Sequence, residues 1–365
     1  MINNLSTTAL TRLRNLISKI NIFEIVLFGF FIRSFFLIIY PRIFFGDSGI
    51  YKDFGEELFS GNIMPSSVHM PGYPIYLYIC NFIFQTEYGV VFVDIIFSSL
   101  SIYIIYLLTN KLFEDKNVSK IASIIFAIYP FSIFLSISTL SESLYVFLML
   151  TAIYFLYINK SFLSYLLFVL SIYVKSVSNY IAPIFIASFY LQKKEYKLFF
   201  KNIGLYLIIY SILLSPWWVH NFVKHDKFVF TDLAFGYHLY AGNNLLNKTG
   251  GGIGGIDVDH SFILKKVDND IAKADKIFKK EAYNFIINNP DDFLKLLLIK
   301  TKRFWSFTPY TYESYDKEAF PLYQEKTKVF YKIIFFLSFG PIFIMALHFF
   351  IFYSKKYIRN IIPII

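Results

Sequence analysis

The sequence predicts an all-α polytopic membrane protein, and three observations carry that fold class. Of 365 residues, 56% are hydrophobic and 16% charged, against about 45–50% apolar and about 25% charged in an ordinary soluble domain. Mean hydropathy is +0.53, with 45 Phe and 29 Tyr; a water-exposed surface built from this composition would carry large apolar patches and aggregate. The apolar residues also run in segments near the roughly 20-residue length that a bilayer crossing needs. Soluble globular, disordered and fibrous classes are thereby set aside. The single cysteine, Cys80, excludes an intrachain disulfide and a Cys-based structural metal site.

Taken in order, residues 1–21 are polar and basic (Arg12, Arg14, Lys19). No small-residue cleavage site follows the first apolar run, so Ile22–Tyr40 reads as a retained first span. Further spans are expected at 88–109, 120–138, 142–159, 161–174, 178–191, 200–218 and 329–353, about eight transmembrane helices (range about 8–10). The fifth and sixth are short and pair as a tight hairpin. Lys111, Lys116, Lys120, Lys160, the Lys193–Lys201 cluster and Lys355, Lys356 and Arg359 all fall on the side of the N-terminal arm. Excess Lys and Arg marks the cytoplasmic side. The net charge of +10 is therefore read as a topology signal, and no nucleic-acid partner is expected.

This divides the chain into a transmembrane catalytic module (1–218) that includes an outer loop at 41–87, an extracytoplasmic loop region (219–328), and a last span with a basic cytoplasmic tail (329–365). The first loop contains Gly46-Asp47-Ser48, a helical stretch to Phe59, Gly61, and then His69-Met70-Pro71-Gly72-Tyr73-Pro74. Ile50, Phe54, Leu58 and Phe59 give that stretch one apolar side, as in a helix lying in the membrane interface. Pro74–Phe84 is apolar but too short to cross. The second loop opens on Pro216-Trp217-Trp218, amphipathic rings suited to the headgroup level. It continues through Gly242-Asn243-Asn244, a glycine tract at 249–255, a helix over about 268–289, and a surface helix over 292–307 containing Lys295, Lys300, Lys302 and Arg303.

Seven residues in these loops and turns carry candidate chemistry. Asp47 can take a proton, ligate a divalent cation, or simply cap the helix that follows. Glu142, at the start of a span, is either a solvated boundary acid or a second site carboxylate. His69 suits phosphate contact, metal ligation or proton transfer, and equally a surface hydrogen bond. Lys175 either snorkels to headgroups or binds a lipid-borne phosphate. His220 and Asn221, with Lys224, follow the tryptophan pair and can serve the same phosphate. No HExxH, GxSxG or CxxC is present, and the glycine tract lacks the Lys-Ser/Thr of a P-loop; no nucleotide cofactor is expected.

The segment "FFGDSGIYKDFGEELFSGN…HMPGYPIYLYI" resembles the first outer loop of GT-C glycosyltransferases. More narrowly, it looks like glycosyltransferase family 39 and its bacterial relatives, which include the protein O-mannosyltransferases and lipid A aminoarabinose transferases. The shared theme is Asp47, Tyr51, Gly61 and the turn at 71–74. The resemblance extends through "IYPFSIFLSISTLSESLYVFLML", "SPWWVHNFVKHDKFVF", "YHLYAGNNLLNKTGG" and "ADKIFKKEAYNFIINNPDDFLKLLLIKTKRFWS", over roughly 40–310. It implies inverting transfer of a sugar from a polyprenyl-phosphate donor to an envelope glycan, lipid or protein, outside a bacterial cytoplasmic membrane. Asp47 would be the catalytic carboxylate and Glu142 a supporting acid. Tyr51, His69, Lys175, His220 and Asn221 would surround the donor, with a possible divalent cation at Asp47 and His69. Relatives commonly carry Arg at the His220 position. An inverting displacement needs one base, and an apolar, aromatic-rich groove suits the polyprenyl chain. The main rival is a transporter or flippase of lipid-linked glycans, which usually places polar groups at mid-membrane on broken helices; the spans show few central charges and no clear repeat.

Overall fold

The computed structural model describes residues 14–39, 47–60, 68–252, 257–268, 270–305, 333 and 336–352. The expected Gly46 and Gly61, the glycine tract beyond residue 252 and the basic tail lie outside the described residues. Within them the fold is helical, without strands. The helices are α1 (Ile22–Ile39), α2 (Ser48–Phe59), α3 (Gly72–Phe84), α4 (Gly89–Phe113), α5 (Lys116–Ile128), α6 (Pro130–Ile137), α7 (Glu142–Tyr157), α8 (Ser161–Val174), α9 (Ser178–Gln192), α10 (Tyr196–His225), α11 (Phe235–Gly242), α12 (Ser261–Lys266), α13 (Ile271–Asn288) and α14 (Pro290–Phe304). A further apolar helix, α15, covers Phe336–Phe352.

Three helices, α1, α4 and α10, are long and apolar enough to cross a bilayer, and the bent pair α5–α6 raises the number to four. This is consistent with an integral helical membrane protein. The apolar helices α3, α7, α8 and α15 are shorter. At 1.5 Å per residue, α7 and α8 reach only about 24 and 21 Å, less than the roughly 30 Å hydrocarbon thickness.

The chain divides into two compact units, one of Met1–Pro65, Pro71–Ser215 and Ala346–Ile365, the other of Ser66–Met70 and Pro216–Met345. In the first, α4 is central and packs on α1, α3, α5, α6 and α7; α8 joins α7, α3 and α9. Small residues let these helices approach. A Cβ on Gly29 would fall 2.2 Å from Ile102 Cδ1, and one on Gly72 would fall 2.5 Å from the Tyr173 carbonyl oxygen. The fully buried Ser101, Ser119 and Ser123 line the same core. Close packing of small residues is what holds helices together where burial from water no longer discriminates.

The expected span 120–138 is not one straight helix. It bends by 54° between α5 and α6, because Pro130 has no N–H for the Phe126 carbonyl. In the second unit, α13 packs on α11, α12 and α14, burying Tyr240, Ala241, Val258, Ile263, Ala274, Phe278 and Ala282 together. The indole N–H groups of Trp217 and Trp218 donate to the carbonyls of Thr231 and Phe230.

Candidate functional site

Asp47 immediately precedes α2, where a carboxylate ordinarily accepts the first free N–H groups. It makes no such capping bond. Its side chain meets the Tyr51 hydroxyl one turn later, which also lies against Ser141 and within the field of Glu142. Tyr51 is 7% exposed and Asp47 exposed. Burial drives the Tyr51 pKa well above that of an ordinary phenol; Ser141 opposes the shift, and Asp47 and Glu142 add to it. Tyr51 is therefore a neutral donor that can hold the Asp47 side chain in place.

Glu142 opens α7 and Lys175 follows the last residue of α8. Lys175 Nζ donates to Glu142 Oε1 at 2.8 Å, with both side chains 31% exposed. The other carboxylate oxygen, Oε2, is buried without a hydrogen-bond partner among the described residues, as is Thr139 Oγ1 three residues earlier. Buried polar atoms left unpaired cost about 1–3 kcal/mol each, so this corner is built for an additional donor. A cavity of about 190 Å³ adjoins it, lined by Ser98, Phe126, Tyr129, Ser132, Glu142 and Ser143 among others.

Two buried ionisable residues that the sequence reading did not single out lie in the same unit. Arg33 of α1 is 0% exposed. Its Nε donates to Ser98 (2.8 Å), Nη1 to the Gly29 and Ala127 carbonyls (2.9 and 3.1 Å), and Nη2 to Ser132 (3.0 Å) and the Phe126 carbonyl (3.4 Å). All five guanidinium N–H groups are thus used, two of them on carbonyls at the α5–α6 break. The negative end of α5 and the carbonyl freed by Pro130 supply what a carboxylate usually would. Asp94 of α4 is also 0% exposed and accepts from Tyr73 (3.0 Å) and Tyr76 (2.9 Å) of α3. The Tyr73 ring meets the Tyr51 ring edge-on at 5.1 Å. An ionisable residue inside an apolar span was the signal available for both, and averaging hydropathy over a window erased it.

Of the expected residues, Asp47, Tyr51, Glu142 and Lys175 belong to the first unit, and His69, His220 and Asn221 to the second. His69 is half-buried. His220 stacks on Trp217 at 5.2 Å with an 11° interplanar angle, and its Nε2 is buried with no hydrogen-bond partner among the described residues. Asn221 is wholly buried. No group of three or more His, Cys, Asp or Glu side chains among the described residues is placed to hold a metal ion.

Comparison of the chain with family models, curated proteins and solved structures returned no match.

Proposed function

We propose that this chain is an integral membrane glycosyltransferase, moving a sugar with inversion from a polyprenyl-phosphate donor to an extracytoplasmic acceptor: a lipid, a glycan or a protein. The observation that carries this reading is the Asp47 carboxylate, unused as a helix cap and held by a neutral Tyr51 beside the Glu142–Lys175 pair. The GT-C-like pattern of the loops points the same way. In this reading α1, α4, α5–α6, α7, α8, α9, α10 and α15 are the eight crossings of a GT-C-like fold, with the bilayer thinned around the short α7, α8 and α9. Asp47, Glu142 and Lys175 then face out of a bacterial cytoplasmic membrane.

Asp47 accepts the proton of the acceptor hydroxyl as its oxygen attacks the anomeric carbon. The bond from that carbon to the phosphate oxygen breaks, and the polyprenyl phosphate leaves with the electron pair. Lys175 has one of its three N–H donors on Glu142, so two remain for the growing phosphate charge. Glu142 holds that ammonium in place and leaves Oε2 for a sugar or acceptor hydroxyl. Tyr51 orients Asp47. His69, His220 and Asn221 are assigned to the donor headgroup on the sequence pattern alone.

A transporter or flippase is the second reading, and Arg33 and Asp94 favour it: both are buried ionisable groups inside apolar helices, Arg33 packed against the α5–α6 break. The glycosyltransferase stands first because the Arg33 donors and both Asp94 oxygens are already engaged by protein groups. Proteoliposomes containing the chain and a radiolabelled polyprenyl-phosphate sugar distinguish the two. Transfer gives labelled acceptor and free polyprenyl phosphate. Flipping changes the leaflet of an intact donor and forms no product, and that outcome would overturn the first reading.

A further inference from the structure

The second unit contains a cavity of mixed polar and apolar lining that neither reading above employs. Its first wall is the turn after α11, fastened by its own asparagines. Asn244 Nδ2 donates to the Tyr240 carbonyl (2.8 Å), its Oδ1 accepts from the Leu246 and Asn247 N–H groups (2.8 and 3.1 Å), and Asn247 Nδ2 donates to the Ala241 carbonyl (2.8 Å). These local side-chain bonds fix the turn before any ligand arrives. The opposite wall is α13, whose buried face (Ala274, Phe278, Ala282, Phe285) is committed to the core.

Between the walls lies a cavity of about 240 Å³, lined among others by Tyr240, Leu245, Glu281, Asn284, Phe285 and Asn288. Glu281, Asn284 and Asn288 follow an i, i+3, i+7 spacing and so share one stripe of α13. They are exposed, and their side chains make no hydrogen bond or ion pair among the described residues. Two amides that both donate and accept, and a carboxylate that accepts, match neighbouring hydroxyls on a ring. Tyr240, Phe285 and Leu245 offer apolar surface for the ring's C–H face. Among the described residues, the charged side chain in the lining is Glu281, which disfavours phosphate or carboxylate ligands. The volume falls below the roughly 300–1,000 Å³ of drug-sized sites, which limits the occupant to about one ring.

We propose that this cavity binds a single neutral sugar ring of a glycan. The site stands independently of the transfer reaction. If both hold, the acceptor is a glycan and this cavity takes one of its residues.

The test uses the full chain in lipid nanodiscs, free of glycoside detergents, which would compete. Saturation-transfer NMR is recorded with glucose, mannose, galactose and N-acetylglucosamine in turn, with empty nanodiscs as background. The expected result is protein-dependent saturation of at least one sugar, reduced tenfold or more by Asn284→Leu combined with Asn288→Leu and weakened by Glu281→Gln. Circular dichroism and melting temperature establish that these exposed-face variants remain folded. No saturation of any sugar by the wild-type chain, or equal saturation by the folded double variant, would overturn the proposal. Asp47→Asn should lose transfer and keep sugar binding. Transfer without sugar binding would therefore sink this inference alone, and sugar binding without transfer would sink only the proposed reaction.

Discussion

Arg33 shows how a full positive charge is accommodated in an apolar core without an acid beside it. Removing an ion from water costs several kcal/mol even after relaxation. The five bonds to serine hydroxyls and carbonyls return part of that: the Ala127 carbonyl takes its donor from Arg33, while the Phe126 carbonyl also accepts from the Tyr129 N–H and the Ser132 hydroxyl. Arg33→Leu should therefore destabilise the first unit by about 1–3 kcal/mol, the cost of leaving the Ala127 carbonyl without a donor. Arg33→Lys should recover only part of the loss, since one ammonium cannot reproduce the planar fork. Denaturant or thermal melts in nanodiscs measure this, and a leucine variant as stable as wild type would show that Arg33 is not bracing the break. At Lys175 the prediction is kinetic. Lys175→Ala should raise the KM for the polyprenyl-phosphate donor more than that for the acceptor; equal changes would point to a purely structural pair with Glu142.

Among the elements, glycine positions separate packing from propensity. An added Cβ at Gly72 meets the Tyr173 backbone carbonyl at 2.5 Å, whereas one at Gly204 in α10 meets nothing within 4 Å. Gly72→Ala should force α3 away from α8 and lower the melting temperature. Gly204→Ala should raise helix stability by up to about 1 kcal/mol through propensity alone. If both variants shift stability in the same direction, the α3–α8 contact is not as close as described. The same elements show what the sequence made legible. The starts of α2 and α7 followed from Asp47-Ser48 and Ser141-Glu142, and α4 and α10 from long apolar runs. Helix α13 came within a few residues of its expected bounds. The bend at Pro130 was written in the sequence, but a hydropathy window spans it without interruption. Asp94 and its tyrosine partners were invisible for a different reason: Tyr73 and Tyr76 read as part of an apolar segment too short to cross, and only tertiary contact turns them into donors. Asp47 was legible as a candidate but not resolved between cap and base, because that choice depends on where its side chain turns.

For the whole molecule, the account needs an in-out topology as well as a site. The proposed eight crossings, with both termini in the cytoplasm, would place 193–201 inside and the second unit's loops outside. Cys80 is 6% exposed and gives a quiet background for cysteine labelling. In intact cells, Lys248→Cys should react with a membrane-impermeant maleimide and Lys194→Cys should react only after permeabilisation. The reverse pattern would invert the orientation and put Asp47 on the wrong side for an extracytoplasmic acceptor.

The claim on which the rest depends is that Asp47 is the base of a sugar transfer. Membranes containing wild-type or Asp47→Asn protein at matched, folded levels are supplied with a radiolabelled polyprenyl-phosphate sugar, and labelled acceptor is counted over time. The account predicts transfer by the wild type and a loss of about 10²-fold or more in the variant, the scale of general-base removal. Transfer by Asp47→Asn at the wild-type rate, or none from the folded wild-type protein with its donor present, would contradict it.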